Sequence, residues 1–167
     1  MSKITSPENY EAEVARPTAL KILNRLKSQN FMGHDPFDGL NSPVLNSLSR
    51  KSKFLRLCFI QFMKRSPINL RRPLGVEKVH NAKTLALVLS GILTSKQFDQ
   101  ELCNELLEII FKQKSVCSSG LAWGYNFDWQ NKVFYIPAGT PTIVNTSFVG
   151  HALLDMYELT YEPHLKE

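Results

Sequence analysis

The sequence predicts a mainly helical, all-α protein made of helical hairpins, with residues 1–167 forming a single domain. Apolar side chains recur at helical spacing over several segments, which is the first indication. Short connections rich in Gly, Pro, Asn and Ser separate those segments, which is the second. One stretch near residues 121–135 has no helical period, so we expect an extended segment there.

The first predicted helix runs from about Ser6 to Lys27, because Ser6 followed by Pro7 is a typical helix start. Pro17 lies within it and should kink or split the helix. Residues 28–41 are rich in Gly, Asp, Asn and Pro, which indicates a loop. The first residues lack the apolar core of a secretory signal, and we therefore expect a cytoplasmic protein.

The second predicted helix begins with Ser42 as its cap and ends before Pro67. Its predicted buried face consists of Leu45, Leu48, Phe54, Leu55, Cys58, Phe59 and Phe62. A third helix over about Asn81–Leu93 and a fourth capped by Ser95 should form an antiparallel hairpin. Their predicted apolar faces are Leu85, Val88, Leu89 and Ile92, and Phe98, Leu102, Leu106, Ile109 and Ile110.

The last predicted helix starts near Asn145 or Thr146 and ends near Leu159. It should bury Phe148, Leu153, Leu154 and Tyr157. Thr160, Glu162 and Pro163 have the pattern of a further helix start, with the cap at Thr160 or Tyr161. We therefore expect the chain to be one part of a longer hairpin protein.

Large apolar residues occupy every odd position from Leu121 to Trp129. This period of two predicts an extended segment with a row of rings on one face. The rings suit a sugar platform, because a flat apolar ring packs against the C–H face of a sugar. They equally suit the filling of a hairpin core, and we expect a mixture with one or two rings exposed.

The charge is uneven: the chain carries a net +5, and eight Lys or Arg but no Asp or Glu lie between Arg50 and Arg72. An anionic partner would explain this stretch, although a solvated helix face is the favoured interpretation. Three widely spaced cysteines fit neither a disulfide framework nor a zinc site. The four histidines lack metal-ligand spacing, so we predict no metal and no cofactor.

Four connections carry a family resemblance: GHDPFDGLNSP at 33–43, NLRRPLGV at 69–76, SSGLAWGYNFDWQ at 118–130 and PAGTPTIVNT at 137–146. Together they resemble the N-terminal half of α/α-toroid proteins encoded in bacterial polysaccharide biosynthesis clusters, a group that includes six-hairpin glycosidases and terpenoid-cyclase-like folds. The resemblance implies an incomplete toroid and a carbohydrate-active or carbohydrate-binding protein. Its implied partners are a carbohydrate, the remaining half of the toroid or a second copy.

The candidate catalytic residues are Asp35 or Asp38, each paired with Asp128, because glycoside hydrolysis needs two carboxyl groups roughly 5–10 Å apart. Turn formation and helix capping are the alternative roles of such Asp residues, and we favour them. The candidate substrate-binding residues lie on the connections 33–43 and 120–146. They are His34, Trp123, Tyr125, Asn126, Trp129, Gln130 and Asn145.

Other functions stay open at this point. A non-catalytic helical scaffold would use an open apolar edge to hold a protein partner. A terpenoid-cyclase-like enzyme would need an acidic motif as well as aromatic rings. We do not expect nucleic-acid binding, because no recognised motif accompanies the basic stretch. His151 and Asp155 share a helix face, where a surface hydrogen-bonded pair is the favoured interpretation.

Overall fold

A computed structural model describes residues 7–95, 99–118 and 120–165 of the chain. The chain divides into two compact units, Met1–Met32 and Gly33–Glu167, which are described separately. Six α-helices and two small antiparallel hairpins occupy the described residues, so the predicted mainly helical class is confirmed. None of the helices in these ranges is long and apolar enough to cross a membrane.

The first unit holds one helix, α1 (Pro7–Lys27), and the turn that ends it. Its span matches the prediction, while the expected cap, Ser6, lies outside the described residues. The expected split at Pro17 is wrong, because the helix continues through this residue. Proline removes a single N–H donor, and the hydrogen bonds on either side keep the helix in register. After α1 the N–H of Phe31, which has a left-handed φ of 56°, donates to the carbonyl of Leu26.

The predicted long second helix is wrong, because the structure contains two helices there, α2 (Pro43–Ser49) and α3 (Lys53–Arg65). The predicted cap of the first is confirmed: the Ser42 hydroxyl accepts the N–H of Leu45. A second serine, Ser52, is extended and caps α3 in the same way. Serine competes for backbone hydrogen bonds, which is why it starts a new helix here rather than continuing the old one.

The predicted buried face of this segment is right at Leu45, which is buried, and in part at Phe59, which packs against the same cluster, but it is wrong at the other positions. Ile60 and Met63 are buried, whereas Phe54 and Phe62 are 72% and 53% exposed. The predicted face further included Leu48, Leu55 and Cys58, and these are exposed too. The helix contains two apolar stripes, and its periodicity alone does not say which one is covered. The short 3-10 helix Asp38–Asn41 packs against the other side of α3, where Gly39 lies against Met63, and this contact makes that side the buried one.

A three-helix cluster follows, made of α4 (Ala82–Thr94), α5 (Gln100–Lys112) and α6 (Ile143–Thr160). Helix α4 contacts α5 as predicted, and it contacts α6 more extensively. The buried α4 residues include Leu85, Leu89 and Ile92, which confirms most of its predicted face. The predicted cap of α5 is wrong: Ser95 ends α4, and Asp99 caps α5 by accepting the N–H of Leu102 at 3.1 Å. Residues 96–98, including the predicted core residue Phe98, lie outside the described ranges.

Helix α6 begins earlier than predicted, with Thr142 as its cap. It buries Val149, Ala152, Leu153 and Met156. The predicted burial of Phe148 and Leu154 is wrong, since they are 38% and 50% exposed. The helix is apolar on most of its circumference, so the sequence does not reveal its buried side.

The chain beyond α6 differs from the predicted fresh helix. Thr160 is the last residue of α6 rather than a cap, and Tyr161 closes the helix with a left-handed φ of 57°. A short 3-10 helix, Pro163–Leu165, follows.

Two β-hairpins occupy the segment between α5 and α6. Strand β1 (Ser115–Cys117) pairs with β2 (Gly120–Ala122), and β3 (Trp129–Gln130) pairs with β4 (Tyr135–Ile136). The predicted single extended segment is therefore wrong in detail, because the aromatic stretch leaves one hairpin and enters the next. Between the hairpins, Gly124 forms an isolated bridge to Pro141 and the chain bends at Asn126 and Phe127. A Cβ atom at Gly124 would stand 2.1 Å from the carbonyl oxygen of Thr140, so only glycine fits.

Candidate functional site

A cavity of about 240 Å³ in the second unit is the candidate site. It lies where three parts of the chain meet: the loop before α2, the start of α4 and the aromatic stretch. Its wall combines apolar rings with a carboxylate, an ammonium, an amide and a hydroxyl. The lining residues are Asp35, Pro36, Phe37, Asn81, Lys83, Thr84, Tyr125, Phe127 and Trp129.

The loop that carries Asp35 is held by its own hydrogen bonds. The Asp35 Oδ1 accepts the N–H of Phe37 at 2.9 Å, and its own N–H donates to Asp38 Oδ2 at 3.1 Å. The Arg71 Nη2 donates to the carbonyl oxygen of Asp35 at 2.9 Å. These contacts fix the backbone, so the Asp35 carboxylate has a defined position on the cavity wall.

Burial raises the pKa of Asp35 above its ordinary value, and the nearby Asp38 carboxylate adds to this effect. The N–H of Phe37 and the cations Lys83 and Arg71 oppose the shift. Because desolvation is the largest cause, a hydrogen-bond donor that enters the cavity would stabilise the charged form of Asp35.

The first turn of α4 forms the second wall. Asn81 caps this helix by accepting the N–H of Thr84 at 3.3 Å, and Lys83 lies between them in sequence. The Lys83 Nζ stands 4.9 Å from the ring centroid of Phe148 on α6, which holds the long side chain in place. The wall thus presents an ammonium and side-chain oxygens near one another.

The third wall is aromatic. Tyr125 and Phe127 have ring centroids 5.1 Å apart, and Tyr125 and Trp129 meet edge to face at 6.4 Å. Phe134 packs edge to face against Trp129 from outside the lining set, at 6.4 Å. Burial raises the pKa of Tyr125, and the charge of Asp35 raises it further, so its hydroxyl stays a hydrogen-bond donor at neutral pH.

Trp123 lies apart from this wall. Its side chain is buried, its Nε1 donates to the carbonyl of Ile110 at 2.8 Å, and its ring meets Phe111 at 6.2 Å. This ring therefore fills the contact with α5. The expected exposure of one or two rings is not found in this row, because Trp123 and Phe127 are buried and Tyr125 and Trp129 are half-buried.

Asp128 connects separate parts of the chain through hydrogen bonds. Its carboxylate accepts the amide N–H of Asn46, the hydroxyl of Tyr135 and the backbone N–H of Ala138. Burial and the hydrogen bond from its hydroxyl to Asp128 raise the pKa of Tyr135 to about 12. With these three donors, the Asp128 carboxylate joins α2 to the second hairpin and does not line the cavity.

Asp38 is buried and forms an ion pair with Arg71. Arg71 Nε lies 2.9 Å from its Oδ1 and 3.1 Å from its Oδ2. His34 Nδ1 stands 3.3 Å from Oδ2 but without hydrogen-bond geometry. This ion pair ties the loop before α2 to the loop before α4, and neither Asp38 nor His34 lines the cavity.

The remaining predicted binding residues have structural contacts. Gln130 is buried, accepts from Arg56 Nε at 2.9 Å and donates to two backbone carbonyls. Asn126 donates its amide to the carbonyl of His80, and its Oδ1 is buried without a hydrogen-bond partner. Asn145 is fully buried in the first turn of α6 and donates to Thr142 Oγ1 at 2.8 Å.

Of the ten predicted site residues, the structure brings Asp35, Tyr125 and Trp129 together at the cavity. Sequence reasoning gave no site role to Asn81, Lys83 or Thr84. The only signal was the predicted start of a helix at Asn81, which does not reveal that this helix end faces two loops distant in sequence.

Within the described residues, no group of His, Cys, Asp and Glu side chains could hold a metal ion. Asp155 and His151 are exposed on α6, where Asp155 accepts the hydroxyl of Ser90 at 2.8 Å. That contact links α6 to α4. Both residues lie on the surface as expected, but among the described residues no hydrogen bond joins His151 to Asp155, so the expected pairing is not found.

Comparison with protein-family models, with curated proteins and with solved structures found no match. The resemblance to α/α-toroid proteins therefore rests on the sequence motifs alone.

Proposed function

We propose that this protein binds a carbohydrate in the cavity between Asp35, Lys83 and Trp129, as part of an α/α toroid associated with polysaccharide biosynthesis. The single observation that supports this most is the composition of the cavity wall. Three aromatic rings form one side, and a carboxylate, an ammonium, an amide and a hydroxyl-bearing side chain form the others.

Sugars need both kinds of surface. Their C–H faces pack against rings, and their hydroxyls require donors and acceptors close to those rings. Tyr125 and Trp129 supply ring surface, Asp35 supplies an acceptor, and Lys83 supplies a donor. A volume of about 240 Å³ is below the ~300–1,000 Å³ of sites for drug-sized ligands. It suits one sugar residue of a chain whose neighbours lie outside.

Binding is better supported than hydrolysis. A glycosidase of the usual kind needs two carboxyl groups that flank the scissile bond. Among the described residues that line the cavity, Asp35 is the only carboxylic acid. Asp38 is paired with Arg71, and Asp128 accepts three hydrogen bonds from other loops. A single acid also argues against the terpenoid-cyclase alternative, which needs an acidic motif.

The test is a glycan array followed by calorimetry on the full chain. We expect at least one neutral or acidic glycan to bind, and Trp129→Ala to weaken its affinity about tenfold through loss of ring stacking. Tyr125→Ala should have a similar effect.

Tyr161→Ala is the matched control, since Tyr161 is 74% exposed and does not line the cavity. It should leave the affinity unchanged. The proposal is wrong if no glycan binds, or if the Tyr125 and Tyr161 variants have the same affinity.

A further inference from the structure

Helix α3 carries an apolar stripe on its solvent side. Phe54 is 72% exposed, Phe62 is 53% exposed and Leu55 is 37% exposed, and the exposed thiol of Cys58 lies between them. Helical geometry places these positions on one side of α3 and the buried Ile60 on the other. Exposed apolar side chains grouped on one helix face are typical of an interaction surface.

The sequence segment that contains the stripe carries only positive charges. No Asp or Glu occurs between residues 50 and 72, while eight Lys or Arg do. Several of these have partners within the molecule: Arg71 pairs with Asp38, and Arg56 bonds Gln130. Lys53 donates to the carbonyl of Lys132, and Lys64 lies over the ring of Phe37. In the described part of the chain no carboxylate forms an ion pair with the remaining four, which are Arg50, Lys51, Arg65 and Arg72.

We infer that the outer face of α3 docks onto a membrane surface rich in anionic lipids. A helix that lies in the lipid–water interface carries Phe and Leu on one side and Lys or Arg beside them. Here Phe54 and Phe62 would enter the boundary of the acyl chains. Lys51 and Arg65, which stand at the two ends of the stripe, would reach the phosphates.

The charge pattern favours this occupant over a second copy of the chain. Two copies meeting through this face would bring their uncompensated cations together, and like charges repel. The stripe itself consists of apolar side chains and a thiol, with no hydroxyl or amide among its members at 54, 55, 58 and 62. Such a surface suits lipid better than the bases and phosphates of a nucleic acid.

Cys58 allows a direct test on the full chain. Cys103 is buried and Cys117 is exposed, so Cys117→Ser leaves Cys58 as the accessible thiol for an environment-sensitive fluorophore. We expect its emission to shift to the blue with phosphatidylcholine vesicles that contain 30% phosphatidylserine, and not with pure phosphatidylcholine. The matched control, Cys58→Ser labelled at Cys117, should not shift.

Co-sedimentation with the same vesicles measures the affinity. Phe54→Ser with Phe62→Ser should weaken binding at least tenfold, and Lys51→Gln with Arg65→Gln should weaken it about as much. Ile143→Ser, at a position that is 84% exposed on α6, should have no effect. Raising the salt to 1 M, where the Debye length is about 3 Å, should also release the protein.

Four results would overturn the inference. One is no binding, and another is equal binding to neutral and anionic vesicles. A third is unchanged binding of the Phe54/Phe62 variant, since the surface would then recognise polyanions by charge alone. The fourth is a dimer in light scattering that this variant abolishes, which would assign the face to a second copy. The cavity variant Trp129→Ala should bind vesicles normally, so this test and the glycan test fail separately.

Discussion

Replacement of Arg71 by alanine tests the assignment of Asp38 as a structural residue. The Asp38 side chain is 3% exposed, and Arg71 is the one cation that contacts both of its oxygens among the described residues. Breaking a buried pair from one side costs about 3–5 kcal/mol because the remaining charge is left uncompensated. The N–H of Asp35 still donates to Asp38, so we expect the lower end, about 3 kcal/mol.

Urea unfolding measures this loss, and for a chain of this size it corresponds to a fall in Tm of roughly 6–12 °C. Arg72→Ala is the matched control, because Arg72 is exposed and its loss should change the free energy of unfolding by less than about 0.5 kcal/mol. Asp38→Asn combined with Arg71→Ala should cost less than the sum of the two single changes. If Arg71→Ala and Arg72→Ala unfold alike, the ion pair does not hold the loop and the assignment of Asp38 is wrong.

Three further outcomes follow from the packing and the hydrogen bonds. Gly124→Ala should lower Tm steeply in thermal unfolding because its Cβ would meet the Thr140 carbonyl at 2.1 Å, whereas Gly150→Ala, with open space around it, should leave Tm equal or higher. Trp123→Phe should cost about 0.5–1.5 kcal/mol in urea unfolding, since the Ile110 carbonyl loses the Trp123 donor and keeps the N–H of Gln113 at 3.1 Å; no loss at all would contradict the contact. Tyr135 should ionise near pH 12 in an absorbance titration, so its contribution to stability is complete below pH 10 and is lost between pH 10 and 12; ionisation near pH 10 would contradict it.

The helices that the sequence predicted well have strong local signals. Ser42 and Asn81 are caps with a preference that operates within one turn, and both act as predicted starts. The buried face of α4 can be predicted because the polar residues of this helix lie together on its other side. Features of this kind can be predicted from the segment itself, without knowing which elements pack against it.

The failures have a common cause in tertiary contacts. Helix α3 has two apolar stripes, and α6 is apolar almost all round, so neither sequence states which side is covered. The cavity likewise depends on three segments that are far apart in the chain. Asp35, Tyr125 and Trp129 were identified as candidates by residue type, whereas Lys83 stood in an ordinary helix start and gave no sign of its neighbours.

Tryptophan fluorescence of single-Trp variants shows whether a sugar enters the cavity. The chain has two tryptophans, of which Trp129 lines the cavity and Trp123 is buried against α5. In Trp123→Phe, titration with a glycan that binds should change the emission of Trp129 with the same midpoint as calorimetry. In Trp129→Phe, the emission of Trp123 should stay constant. A glycan that binds without affecting Trp129, or that changes Trp123 instead, would contradict a carbohydrate site in this cavity.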